Sequence, residues 1–424
     1  MRIYFDKVVA SVRSLSLRAI VGSMVCISIV GVGAAVAFGS LGERAQRREE
    51  KVPLRPMVLS GSGAFYCQRD YIEKTRTELA AQGPLPPTEI FDSSSKTVRI
   101  IKGVFPKILV PWWMYDFFHT SFGSLFFQPS VSATIAEQAR PRINLDSEWK
   151  YFRFSIVVDG VPVDAMVVGR PSTFTNGRWT LASLGITRIY ECLLIDSPEQ
   201  VCPGHPPGLA PLQQLLSKTQ SNAILYNYPG MGASGGFLNL PAMVKAHEAL
   251  LRFIEDQLHA CVIIDKGHSF GGAVQAEAWR THKVKGDVSY VLVKDRSPLY
   301  VIDAVQNLAG RFFAIAGKIL GWNIRTPASS DTLQVPEIHV MCLGNISDSR
   351  RFIDPSEISP PGEESSGPFY NDQMVPYYSS TAIYYLQHPS CVSKVVIGVP
   401  DVHGASIEDP EVLAEAINEA VPIS

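Results

Sequence analysis

The sequence has no excess of either charge: 38 lysines and arginines stand against 40 acidic residues, a formal net charge of −2. Nucleic-acid binding would need a basic stripe, so that class of partner is excluded. Cysteine is sparse and unpatterned. Cys26, Cys67, Cys192, Cys202, Cys261, Cys342 and Cys391 never stand as CxxC, and their number is odd. That scatter argues against a zinc site and against a disulfide framework. Cys26, Cys261 and Cys342 lie in apolar runs and read as small core residues. Charged residues are also few, 18% against 46% apolar, which leaves ample material for a core. A chain of 424 residues exceeds what one typical core organises, so one enlarged domain or two domains are expected.

One long uncharged apolar run is present, "AIVGSMVCISIVGVGAAVAFG" at 19–39. At ~1.5 Å per helical residue it reaches ~32 Å, the thickness of a bilayer's hydrocarbon core. A buried helix and a signal peptide are the rivals, the latter suggested by "AVA" at 35–37. The run is longer than the ~7–15 apolar residues of a signal peptide, so an uncleaved anchor is expected over residues 1–40. Arg2, Lys7, Arg13 and Arg18 before it balance Arg44, Arg47, Arg48, Lys51 and Arg55 after it, so charge bias sets no orientation. Residues 41–148 form an extension that ends in an aromatic-rich stretch, 104–128. Pro106, Lys107, Pro111 and Asp116 break that stretch and argue against a second span. Trp112, Trp113 and Tyr115 are expected to pack over the following domain or to sit at a membrane interface.

From residue 149 the pattern becomes regular. "YFRFSIVVDGVPVDAMVVG" alternates on both sides of Asp159-Gly160 and reads as a hairpin. Strands are expected at 177–186, 223–228, 261–266, 288–295, 337–344 and 394–399. Helices are expected at 243–258, after Ser269, and at the C-terminus behind Asp409 and Pro410. A mainly helical insertion occupies about 298–330. The alternation implies an α/β fold with a mostly parallel central sheet and helices on both faces.

Two stretches match G-x-S-x-G: "GHSFG" around Ser269 and "GASGG" around Ser234. A nucleophilic serine at such a site needs a strand ending just before it and a helix starting just after it. Ser269 has "CVIIDK" before and "GGAVQAEAW" after. Ser234 follows Pro229 and two glycines and runs on into "GGFLNLP", a loop. Ser269 is therefore the candidate nucleophile, with a capped tight turn as the alternative. Its partners would be a histidine base and a carboxylate, each at the carboxyl end of a later strand. Four histidines follow. His282 ends a helix, His339 lies inside a strand, and His388 precedes Pro389. His403 stands between the last strand and the last helix, where a base belongs. For the acid, Asp348 lies just beyond the strand that ends at Gly344, and Asp295 at the end of the preceding strand is the alternative. The backbone N–H of Phe270 is one expected oxyanion donor; the other is the N–H of Gly185 or Ile186. No histidine precedes Gly185, where many esterases have His-Gly.

"AILYNYPGMGASGG" followed by a helix and "GHSFGGAVQAEA" resembles the α/β-hydrolase superfamily over about residues 150–424. More narrowly, the apolar N-terminal segment, "RWTLASLG…YE" at 178–191 and "VKDRS" resemble the chlamydial CHLPS hydrolase-like family. The resemblance implies an α/β-hydrolase domain at 149–424 with a lid insertion at about 298–330. It carries over Ser269 as nucleophile, His403 as base and Asp348 as acid. It also implies a loose link with virulence and no agreed substrate. The expectation is a membrane-anchored serine hydrolase of esterase or lipase type. It would cleave a carboxylic ester, thioester or lipid bond through an acyl-enzyme, with no metal or organic cofactor. Expected partners are a small-molecule or lipid acyl substrate and the membrane, through residues 19–39; nothing sets the oligomeric state. The rival classes are a hydrolase-fold interaction protein without turnover and a membrane structural protein acting through its first 145 residues.

Overall fold

The computed structural model describes residues 87–91, 112–143, 148–195, 208–326, 335–343, 351–352, 372, 374–387 and 394–423. The anchor expected at 19–39 lies outside the described residues. Among the described residues no helix is long and apolar enough to cross a membrane.

The strands are β1 (Pro87–Phe91), β2 (Lys150–Val158), β3 (Val161–Gly169), β4 (Arg178–Ser183), β5 (Asn222–Tyr226), β6 (Val262–His268), β7 (Ser289–Asp295), β8 (Glu337–Cys342), β9 (Arg351–Phe352) and β10 (Lys394–Val399). They form one sheet in the order β1-β2-β3-β5-β4-β6-β7-β8-β10-β9. From β5 through β4, β6, β7 and β8 to β10 all neighbours are parallel, while β3 runs antiparallel to both β2 and β5. This is the α/β-hydrolase arrangement. The helices are α1 (Trp112–Phe127), α2 (Pro129–Ala139), α3 (Tyr190–Leu193), α4 (Leu209–Thr219), α5 (Leu240–Asp256), α6 (Phe270–Trp279), α7 (Val301–Ala309), α8 (Arg311–Ile319), α9 (Thr381–Gln387) and α10 (Glu411–Ala420).

Period-two alternation builds two cores from one sheet. Leu181, Ile224 and Ile263 face the layer that holds α5 and α6. Their chain neighbours face the other way: Ala182 and Leu225 toward α4, and Ile264 toward α10. Fully burying a side chain such as Ile263 contributes roughly 1.5–3 kcal/mol. Asn239 starts α5 by accepting the N–H of Ala242 at 2.9 Å, a cap that stabilises by about 1 kcal/mol. The β2–β3 hairpin turns at Asp159 (φ 52°) and Gly160 (φ 79°), the left-handed pair that matches strand twist.

A buried polar cluster fastens this edge of the sheet. The Arg153 guanidinium grips Asp164 with two bonds of 2.8 and 3.1 Å, and Tyr190 donates to the same carboxylate. Glu191 pairs with Arg140 and accepts from Asn227. The Tyr-Glu of the family-like "RWTLASLG…YE" pattern is thus part of the framework. Ser234 belongs to the same region: its hydroxyl donates to Asn227 O and accepts from Asp164 N–H. That is a buried structural role.

The helical insertion and the extension pack together. Trp322 stacks on His119 at 4.7 Å and lies 6.1 Å from Phe127 and 6.0 Å from Phe270. Phe126 meets Phe313 edge-on, and Gly317 leaves room for Phe122 and Ile302. Helix α1, in the extension, and α7–α8, in the insertion, therefore make one cap resting on Phe270, so packing continues across the boundary expected at residue 149. The side chains of Trp112, Trp113 and Tyr115 lie outside the described residues. Cys192, buried in the core, is disulfide-bonded. Cys261 is free but exposed rather than buried, and Cys342 is free and buried.

Candidate active site

Strand β6 runs straight into Ser269, and α6 begins at the next residue. Ser269 holds φ 52° and ψ −119°, a conformation that costs on the order of 1–3 kcal/mol and must be imposed by its surroundings. Those surroundings are backbone. A Cβ on Gly267 would lie 2.5 Å from Gly272 Cα, and one on Gly271 would lie 2.3 Å from Ser183 O. The glycines around the serine let β4, β6 and α6 close onto one another. The Ser269 N–H is tied to Asp295 O at 2.8 Å.

His403 meets this serine. Its Nε2 lies 2.8 Å from Ser269 Oγ, and its Nδ1 lies 2.7 Å from Asp372 Oδ2. Three side chains from distant parts of the chain thus form one relay at the carboxyl edge of the sheet. Asp372 is split in function between its oxygens. Oδ1 accepts the N–H groups of Met374 and Val375, both at 2.9 Å, which leaves Oδ2 turned to the histidine. Burial pushes the Asp372 carboxyl up, but the His403 bond and charge and the two amides outweigh it, and its pKa lies below the ordinary value.

The two expected acids stand differently. Asp348 lies outside the described residues. Asp295 is not at the histidine: its carboxylate takes Lys266 Nζ at 2.7 Å and Arg296 Nε at 2.7 Å. Although burial opposes ionisation there, Arg296 and Lys266 hold its pKa well below the carboxylate range. Asp295 acts one step back, since Arg296 goes on to donate to Val402 O at 2.7 Å and steadies the loop that carries His403. Asp372, which closes the acidic, proline-broken stretch 355–372, was not among the expected acids. Its position after β8 agrees with the expected order, but it lies 30 residues beyond Cys342. The available signal was an aspartate followed at once by a turn whose amides its carboxylate can cap.

His268, between Gly267 and Ser269, was also missed. Its Nε2–H donates to His403 O at 3.0 Å. Burial first, and the charge of Arg188 second, hold its pKa well below the ordinary value, so it is a neutral strut. The remaining histidines are elsewhere. His282 bonds Glu255 at 2.8 Å, and His339 is buried beside Glu337 at 3.2 Å. His388 lies outside the described residues.

Both expected sources of oxyanion donors adjoin the nucleophile. Phe270 N–H opens α6, where first-turn amides have no acceptor within the helix. The β4 loop reaches the other side: a Cβ on Gly185 would lie 3.3 Å from Ser269 Cβ and 3.0 Å from His268 Nδ1. The register Ser183↔Gly267 brings that loop to the nucleophile. Among the described residues no group of three or more histidine, cysteine or acidic side chains has the geometry to hold a metal ion.

Residues 132–354 match the family described as Chlamydia CHLPS protein (DUF818). No curated protein matches the chain. Similar solved structures include an esterase from Pyrococcus furiosus, 13% identical, covering 66% of this chain and 94% of its own, with a TM-score of 0.44. An alpha-beta hydrolase from Vibrio vulnificus is 11% identical over 69% of this chain and 93% of its own, TM-score 0.43. Est1E from Butyrivibrio proteoclasticus, solved with ferulic acid bound, is 13% identical over 63% and 96%, TM-score 0.40.

Proposed function

The chain belongs to the Chlamydia CHLPS protein (DUF818) family, and we propose that it is a membrane-anchored serine hydrolase that cleaves an ester-type bond through an acyl-enzyme at Ser269. The observation that carries the reading is the unbroken relay from Ser269 Oγ through His403 to Asp372, mounted on a strained serine at a helix N-terminus.

In this mechanism Ser269 Oγ attacks the carbonyl carbon while His403 Nε2 takes the hydroxyl proton. The carbonyl oxygen becomes an oxyanion and receives the N–H groups of Phe270 and of Gly185 or Ile186. Such donors each contribute about 3–4 kcal/mol when preorganised, and the positive end of α6 adds to them. Asp372 keeps the ring oriented and stabilises the imidazolium without accepting its proton. Collapse of the adduct breaks the bond to the leaving group, which departs with the proton from His403. Water then attacks the acyl-enzyme; His403 takes its proton and returns it to Ser269 as the acid product leaves.

The apolar cap of α1, α7 and α8 above Phe270 offers a wall for an acyl chain, which favours ester, thioester or lipid substrates. The anchor rests on the uncharged run at 19–39, and on that basis the enzyme works at a membrane surface. A fluorophosphonate probe is expected to label purified protein at Ser269, with labelling lost in Ser269→Ala and His403→Ala. Folded protein that resists the probe would return the protein to the class of hydrolase-fold proteins without turnover.

A further inference from the structure

Among the described residues the fully buried arginines are satisfied, and half-buried Arg170, whose Nε has no acceptor, lies over the Trp149 ring. Arg153 grips Asp164, Arg140 pairs with Glu191, and Arg296 pairs with Asp295. Arg178 donates to the carbonyls of Thr219, Val421 and Pro422. Arg188 is different. It is only partly exposed, yet among the described residues its guanidinium makes no hydrogen bond and no ion pair. A guanidinium carries five donors in a fixed fork, and no protein acceptor among the described residues takes those of Arg188.

Its place is specific. Arg188 closes a turn onto Gly185, with its N–H 3.3 Å from Gly185 O, in the loop that reaches Ser269. Thr187 before it holds a left-handed φ of 64°. The side chain reaches the residue after the candidate base, since Nη2 lies 3.9 Å from where a Cβ on Gly404 would sit. Three other charged or titratable groups share its surroundings. Asp295 is the nearby carboxylate, but Lys266 and Arg296 already hold it. Arg296 repels it, and neutral His268 has its Nε2 committed to His403 O. Burial first, and the charge of Arg296 second, bring the pKa of Arg188 down to about 10, so it remains a cation at neutral pH with its charge uncompensated. A fork-shaped donor set left open beside a nucleophile fits an oxyanion of two or more oxygens.

We propose that Arg188 is the anion-binding subsite of this enzyme, and that its substrates are esters bearing a carboxylate or phosphate group close to the scissile bond. This rests on the hydrolase reading of Ser269 and adds the class of substrate. A carboxylate would sit in the acyl part of a dicarboxylic monoester; a phosphate would sit in the alcohol part, as in a glycerophosphate ester.

The test compares kcat/KM for matched p-nitrophenyl esters of butyric and succinic acid, and for butyrate esters of glycerol and of glycerol phosphate. At least one charged ester is expected to exceed its neutral partner, and the pair that does so identifies the source of the anion. Arg188→Gln should reduce that charged-to-neutral ratio by about 30-fold or more, with Arg188→Lys between the two. The ratio is taken within one preparation, so a smaller folded fraction cancels. A wild-type ratio near one for both pairs overturns the subsite, as does a ratio that survives Arg188→Gln. Failure of the probe to label Ser269, together with no turnover of any ester, overturns the hydrolase reading beneath it.

Discussion

Among the described residues stand two serine–histidine–aspartate constellations, and they differ in access and in the backbone of the serine. At the sheet's edge Ser269 faces His403 Nε2, and Asp372 faces Nδ1. In the core Ser183 Oγ lies 2.8 Å from His247 Nδ1, and His247 Nε2 lies 2.8 Å from Asp265 Oδ2. The distances match, but the ring is reversed. Ser183 is the last residue of a regular strand, without a left-handed φ, and the side chains of His247 and Asp265 are 0% exposed. Its hydroxyl also contacts Tyr226 at 3.0 Å, and Asp265 Oδ2 receives Trp279 Nε1–H at 2.6 Å. Ser183 itself is only 1% exposed, so no substrate can reach it. Hydrogen-bond geometry alone therefore does not make a catalytic triad. Access and backbone strain at the serine are what separate the two.

The contrast can be broken most directly at the serines. Ser269→Ala should lower turnover by at least ~10⁴-fold and remove probe labelling, while Ser183→Ala should still be labelled; loss of labelling in both would erase the distinction. The acids come next. Asp372→Asn should lower kcat about 10³–10⁴-fold with the melting temperature nearly unchanged. Asp295→Asn should instead cost roughly 3–5 kcal/mol in denaturant titration, because it leaves Lys266 and Arg296 without their anion. In the core constellation, Asp265→Asn should cost about 3 kcal/mol of stability while turnover per labelled site stays at the wild-type level.

Acidity should act on the core in the same way. His339 is buried with its pKa lowered to about 4, chiefly by burial, and an unfolded chain would titrate it near its ordinary value. Between those values the unfolded state binds more protons, so stability is intact above pH ~6.5 and falls by about 3 kcal/mol toward pH 4. His119, lowered to about 4 by burial, acts in the same direction. Melting curves from pH 8 to 4 check the sign, and a flat profile would contradict it. The smallest effect is expected for Ser183→Ala itself, about 1 kcal/mol in denaturant titration, since Tyr226 still contacts His247 at 3.0 Å.

Much of the candidate relay was legible in one dimension. Ser269 stood out because a strand, two glycines and a helix are consecutive in the chain. His403 stood out because it lies directly between the last strand and the last helix. Ser234 could be set aside because its neighbours form no such junction, and its buried bonds to Asn227 and Asp164 agree. Asp372 escaped because closeness to β8 along the chain was taken for closeness to the histidine. A long connection can return anywhere, and this one returns after 30 residues. The roles of His268, Arg296 and Arg188 also escaped, because each depends on which carbonyl or carboxylate lies within about 3 Å in the folded chain.

Apolar alternation and glycine placement determined, by local rules of strand, turn and helix, that this chain would form a mostly parallel sheet with a serine at a strand-to-helix turn. Only the tertiary structure decided which aspartate serves the histidine, which of two triad-like sets is shut in the core, and that Arg188 beside Ser269 meets no acceptor among the described residues. Those outcomes depend on burial and on distances between residues far apart in the chain, and hydrogen bonds and desolvation act over a few ångströms of space whatever the separation in sequence.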